Sequence, residues 1–249
     1  MQEVIRRWAW PMLLLLLVTW AGGMGYKLAR SPRGYAHVWV YPQGEGLLLL
    51  DPREHTVLVD GPSDSIAFQT WVGFRMPLGV WNVDLVVLTR WEENITATQA
   101  TLLRRIPPRR AWAPFPTENP AALAEWLRVC GEPEFLEPGL EGNVGRWFVR
   151  VLSGTPPIIT FTYGHFQLLY APQGIPAEQK ENTAKATLVL TSHWTDGIAD
   201  PPYLYLSRRA KESPELLQHP TVRLLLPPKP DSTLHLTTDG EHLGLEWER

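Results

Sequence analysis

From residue 35 onward the chain consists of short apolar blocks parted by turn residues, a pattern of many strands and few helices. His37–Gln43 alternates and is aromatic, while Gly46–Leu50 and His55–Asp60 are short apolar runs. Turns at Pro42–Gly44 and Asp51–Arg53 make these three successive antiparallel strands. Ser65–Phe74 reads as a helix or an irregular crossover. Asp84–Thr89 sets four consecutive apolar residues between polar ends, which predicts a strand buried on both faces. Thr96–Ile106 predicts a helix capped by Asn94 or Thr96, with Arg104 and Arg105 at its C-terminal dipole and Pro107–Pro108 as its stop. Ala111–Pro114 is then a short strand, and Asn119 caps a second helix, Pro120–Val129, ended by Gly131.

The second half has the same flavour without repeating the sequence. Trp147–Leu152, Ile158–Tyr163 and Phe166–Tyr170 read as strands, the last two joined by a tight Gly164–His165 turn. Thr187–Thr191, Tyr203–Leu206 and Val222–Leu226 follow, with a short helix near Pro214–Gln218. Thr233–Thr238 and Leu243–Trp247 close the chain as a hairpin around Asp239–Gly240. Many strands, with helices in two separated batches and hairpins dominating, predict an α+β fold of four layers, an αββα sandwich.

The N-terminus differs in kind. Trp8–Tyr26 is nineteen residues without a charge, flanked by Arg6 and Arg7 on one side and by Lys27, Arg30 and Arg33 on the other. About 20 apolar helical residues match the hydrocarbon layer of a bilayer, and Trp8, Trp10, Trp20 and Tyr26 sit where interfacial aromatics would. The expectation is one N-terminal transmembrane helix, with the soluble part on the extracytoplasmic side. A cleaved secretory signal ending near Ala21–Gly25 is the alternative, and would give a secreted protein. Residues 1–34 are thus an anchor and short linker, and residues 35–249 one domain.

Hydrophobic residues make up 44% of the 249 and charged residues 20%, enough for a packed core. The net charge of −3 argues against a protein that coats nucleic acid. A single cysteine, Cys130, excludes an intrachain disulfide and a cysteine-based zinc knuckle, and reads as a small buried apolar residue. No G-x-S-x-G, P-loop or dinucleotide glycine pattern occurs. His37, on a strand, and His165, in a turn, read as structural or solvated.

Five motifs, in order, carry a resemblance. Tyr41-Pro42-Gln43-Gly44-Glu45 is similar to VGQGD, Val59-Asp60-Gly61-Pro62 to IDGG, and Asp84–Arg90 to DLVVLTH. Leu102–Trp112 is similar to LLRRLPPRRVW. Tyr163-Gly164-His165 through Leu168-Leu169-Tyr170-Ala171-Pro172 is similar to a YG turn leading to LLTGD. Together they resemble the metallo-β-lactamase-like soluble domain of ComEC-type DNA-uptake channel proteins, over Tyr35 to Glu248. That resemblance implies a binuclear metal site on a THxHxDH motif, a bridging aspartate and a later HHGS. The aligned positions here are Arg90, Glu92, Asn94 and Ile95, then Pro172, then His193-Trp194-Thr195-Asp196. An arginine is never deprotonated and isoleucine has no lone pair.

The expectation is therefore a membrane-anchored binding protein on a hydrolase scaffold, without metal or small-molecule cofactor. Its partners would be the membrane, a membrane channel protein or DNA. Arg90, Arg104, Arg105, Arg109 and Arg110 are its candidate contacts. Four arginines bracketing two prolines suit phosphate groups, although a capped helix end beside a solvated loop gives the same pattern. The alternative is a divergent metal-dependent phosphodiesterase holding one Zn or Mn ion on Asp60, Glu92 and His193, with Glu93 and Asp196 close by. A structural envelope protein without a nucleic-acid role is a third reading.

Overall fold

The computed structural model describes residues 10–19, 21–22, 34–77, 79–116, 120–192, 194–206, 222–225 and 227–248. Within them lie two sheets. The first runs, in spatial order, β15 (Leu243–Glu248), β14 (Thr233–Thr238), β1 (Ala36–Val40), β2 (Gly46–Leu50), β3 (Thr56–Asp60), β4 (Val83–Val87), β5 (Pro108–Ala113), β6 (Glu134–Phe135). The second runs β13 (Arg223–Leu225), β12 (Tyr203–Leu206), β11 (Leu188–Thr191), β10 (Phe166–Ala171), β9 (Pro157–Tyr163), β8 (Trp147–Gly154), β7 (Glu141–Val144).

Period two sorts the side chains between layers. Val38, Val40, Leu47, Leu49, Val57, Val59, Leu85 and Val87 face the second sheet, where Trp147, Val149, Phe161, Leu168 and Leu188 meet them. Trp39, Leu48, Leu50, Leu58 and Val86 turn outward, beneath α2 (Ser65–Arg75), α3 (Glu93–Leu103) and α4 (Pro120–Cys130). Because both faces are covered, β2 and β3 read as unbroken apolar runs. Behind the second sheet Ile175, Ala186 and Ile198, with α5 (Lys180–Lys185), cover Leu169, Val189 and Leu204. The four layers expected from the pattern are present.

Several local expectations are revised. Hairpins do not dominate, since antiparallel and parallel strand pairs number seven and six. Each sheet joins an antiparallel half to a parallel one, β3–β6 in the first and β10–β13 in the second. Ser65–Arg75 is a helix, capped by the Asp64 carboxylate, which accepts from Ile66 N and Ala67 N at 3.0 Å each. Helix α3 starts three residues before Thr96, whose hydroxyl bonds back to the Glu92 carbonyl at 2.8 Å instead of capping. Strand β5 begins at Pro108, a proline tolerated as a first strand residue. The helix expected near Pro214–Gln218 lies outside the described residues. Cys130 is half-buried and burial pushes its thiol up to about 12, so it is inert at neutral pH.

Near the N-terminus residues 10–19 form a helix, α1, whose apolar side chains are open to solvent, Trp10 by 70% and Leu15 by 68%. Among the described residues no helix is long and apolar enough to cross a membrane. The ends of the expected span, residues 8–9 and 23–26, lie outside those residues.

Candidate functional site

The parallel halves of the two sheets deliver their carboxyl ends to one rim, where ligands of α/β folds commonly bind. A cleft of about 290 Å³ opens there. Its walls come from the turn after β1 (Gln43, Gly44, Glu45), the ends of β3 and β4 (Gly61, Pro62, Arg90), and the first turn of α3 (Glu92, Asn94, Ile95). The second sheet adds Tyr170, Pro172, Leu190, Thr191, Ser192 and Tyr205.

Asp60 forms the foundation. It is fully buried and takes a left-handed backbone conformation, φ 49°, in the region where aspartate is one of the few tolerated side chains. That kink turns the chain from β3 into the cleft floor. Its carboxylate accepts from Thr89 N at 2.7 Å, Thr89 Oγ1 at 2.6 Å and Tyr170 Oη at 2.9 Å. Thr89 follows β4 and Tyr170 lies on β10, so one carboxylate ties the two sheets together. Burial pushes its pKa above the ordinary aspartate value, against the opposing pull of the Thr89 bonds and the Arg90 charge. Burial, with the Asp60 charge, raises Tyr170 well above the ordinary phenol value.

A second buried polar residue braces this corner. Gln99, on α3, donates Nε2 to the Asp60 carbonyl at 2.9 Å and to the Val87 carbonyl at 3.1 Å, and accepts from Trp126 Nε1 at 2.9 Å. One amide thereby fixes α3 and α4 to the ends of β3 and β4.

Above the floor, Arg90 Nε lies 3.0 Å from Glu92 Oε1. The other candidate contacts are not gathered with it. Arg104 ends α3, roughly 16 Å along the helix from the cleft, and pairs with Glu125, which also holds Arg128 at 3.0 Å. Arg109 and Arg110 open β5, at the opposite end of that strand, paired with Asp84 at 3.2 Å and Glu134 at 3.0 Å. Arg105 is exposed beside Arg104. The five arginines thus divide between two regions, because α3 and β5 separate them by their own lengths. Of the alternative metal ligands, Asp60 points inward, Glu92 is held by Arg90, and His193 lies outside the described residues. Glu93 and Asp196 are exposed.

No family model and no curated protein matches the chain. Solved structures do. The metallo-β-lactamase fold protein YhfI from Bacillus subtilis superposes with a TM-score of 0.52 at 11% identity, covering 80% of this chain and 98% of that one. Zn2+-bound PqqB from Methylobacterium extorquens gives 0.52 at 12% identity, covering 76% and 97%.

The chain has the metallo-β-lactamase fold.

On that fold, the positions aligned from sequence with metal ligands converge: Arg90, Glu92, Asn94, Ile95 and Pro172 all line the one cleft. Ser192, next to His193, lines it too. Sequence reading missed Tyr205 and Gln99, and quoted Glu45 only within the Tyr41–Glu45 motif, without a role in the site. Tyr205 belongs to a strand that reads as core, yet its ring reaches the cleft, and burial lifts its hydroxyl to about 12.

Proposed function

We propose that this protein keeps the metallo-β-lactamase scaffold and uses its rim cleft to recognise a partner, without metal-dependent hydrolysis. The observation that carries the reading is the state of the cleft's own charges. Arg90 is ion-paired with Glu92 although its buried Nε makes no hydrogen bond among the described residues, and Asp60 is hydrogen-bonded to Thr89 and Tyr170. A pair of cations needs several converging carboxylates and imidazoles. The described cleft residues do not fit such a pair. At the aligned positions a guanidinium, an isoleucine and a proline offer no lone pair to a cation, and Arg90 adds a fixed positive charge. Asp60, the buried carboxylate beneath the cleft, is already satisfied by three donors.

The polar lining suits a polypeptide segment, with Gln43, Glu45, Asn94, Thr191 and Ser192 as hydrogen-bonding groups around Arg90. We infer a membrane protein as the partner. Apolar α1, inside an uncharged run of nineteen residues, would hold the protein at the bilayer, and the ComEC-like motifs imply a DNA-uptake setting. DNA itself is the weaker ligand, since Arg104, Arg109 and Arg110 are each paired with a carboxylate.

Two assays on the purified full chain test this. After incubation with Zn2+ or Mn2+, no turnover of a chromogenic phosphodiester is expected; turnover abolished by Glu92→Gln would overturn the reading. Duplex DNA binding is expected to be weak. Tight binding that falls steeply with salt would make DNA the ligand instead of a protein.

A further inference from the structure

Away from the cleft, on the outer face of the first sheet, three metal-type donors converge. The strand register puts them there. His235 on β14 is paired directly with Glu246 on the edge strand β15, and Glu248 stands two residues further along, so all three project from one face. His235 Nδ1 lies 2.5 Å from Glu246 Oε1 and 3.1 Å from Glu248 Oε1. The three ligand atoms lie within 4.8 Å of one another.

The atoms pointing away from that centre are held independently. His235 Nε2 lies 2.8 Å from His37 Nδ1, and the ring stacks on Trp39 with centroids 4.8 Å apart. The second oxygen of Glu248 pairs with Arg75 of α2 at 2.6 Å, leaving the first turned toward His235. Four elements (β1, β14, β15 and α2) thus fix the ligand side chains, the outer-shell arrangement that orients imidazole and carboxylate around a metal. The Glu246 side chain is 64% exposed, which gives an ion a way in and leaves room for water in its shell.

We propose that His235, Glu246 and Glu248 form a binding site for one divalent first-row transition cation, such as Zn2+. One imidazole nitrogen with two carboxylate oxygens is a donor set such ions accept. The ion takes the place of the hydrogen on Nδ1, and the two carboxylates balance its charge. The Nε2–H then donates to His37, which secures the tautomer that binding requires. The site is separate from the cleft and stands without the recognition reading above.

The test is calorimetric titration of the chelator-stripped full chain with ZnCl2, alongside its thermal unfolding. One ion per chain is expected, and the transition should rise by roughly 5–10 °C at a hundredfold excess over Kd. Glu246→Gln, at a solvent-facing side chain, should keep the fold and weaken binding by at least ~100-fold, and His37→Gln by ~10–100-fold. X-ray absorption on the Zn-loaded chain should show one imidazole in a nitrogen/oxygen shell. No uptake by the folded chain, or equal uptake by Glu246→Gln, overturns the proposal. Uptake that survives Glu246→Gln and disappears in Glu92→Gln places the ion in the cleft, and overturns the recognition reading as well.

Discussion

Gln99→Leu probes the corner on which the cleft is built. Leucine nearly preserves the side-chain volume and removes both polar ends. Gln99 and Trp126 are fully buried, so the change strands three polar atoms: the Asp60 carbonyl, the Val87 carbonyl and Trp126 Nε1. A buried polar group left without a partner costs about 1–3 kcal/mol. The carbonyls fall at the low end, since each has a second lone pair and the added apolar burial offsets part of the loss. The expected total is about 3–5 kcal/mol, a large share of the stability of an ordinary domain. Urea denaturation of the full chain reads it as a lower midpoint at unchanged slope. The double variant Gln99→Leu/Trp126→Phe separates network from packing, because removing both partners of a bond costs less than orphaning one. It should be less destabilised than the sum of the singles by about 1–2 kcal/mol. A single-variant cost under about 1 kcal/mol, with strict additivity, would show that the amide does not brace these strand ends.

Other outcomes follow from the same geometry. Gly145 has φ 58°, and a β-carbon there would overlap the Asp51 carboxylate and the His55 ring; Gly145→Ala should cost about 2–4 kcal/mol in urea unfolding. Burial and the nearby His235 charge lower His37 to about 4 from 6.5, so its contribution to stability is present above pH 6.5 and is lost as pH falls toward 4. His37→Gln should flatten that limb of the stability–pH curve by roughly 1–2 kcal/mol. Asp60 is shifted the other way: with its folded value above 3.8, its contribution is complete below pH 3.8 and declines as pH rises through the folded value. Asp60→Asn should remove that decline, as read by thermal unfolding across pH. The full chain should float with lipid vesicles, and Leu13→Glu/Leu16→Glu should release it, since a charge in an apolar span costs about 2.5–3.5 kcal/mol.

Much of the scaffold was legible because local pattern and layer position agree. β2, β3 and β4 are apolar runs covered on both faces, and Asp239–Gly240 lies in the loop that turns β14 into β15, although that loop is longer than the two-residue turn such a pair suggests. What stayed hidden depended on contacts distant in sequence. β6 and β7, only two and four residues long, have no apolar period, and pair where β5 and β8 place them. Asp60 looked like a metal-type carboxylate because it closes a strand at the expected pocket; only the fold reveals Tyr170, 110 positions away, bonded to it. Arg90 was grouped in sequence with Arg104, Arg105, Arg109 and Arg110, while the lengths of α3 and β5 set those four apart from it and from the cleft. His235 and Glu246 attracted no notice at all, since nothing but strand register makes them neighbours.

Metal analysis of a His235→Asn full chain, purified, supplied with Zn2+ and Mn2+ and dialysed, isolates the cleft from the outer-face cluster. If the rim serves recognition alone, the folded variant retains no ion above the buffer blank and cleaves no phosphodiester. One or two tightly held ions, released by Glu92→Gln together with hydrolytic turnover, would mean that this cleft is a working metal centre.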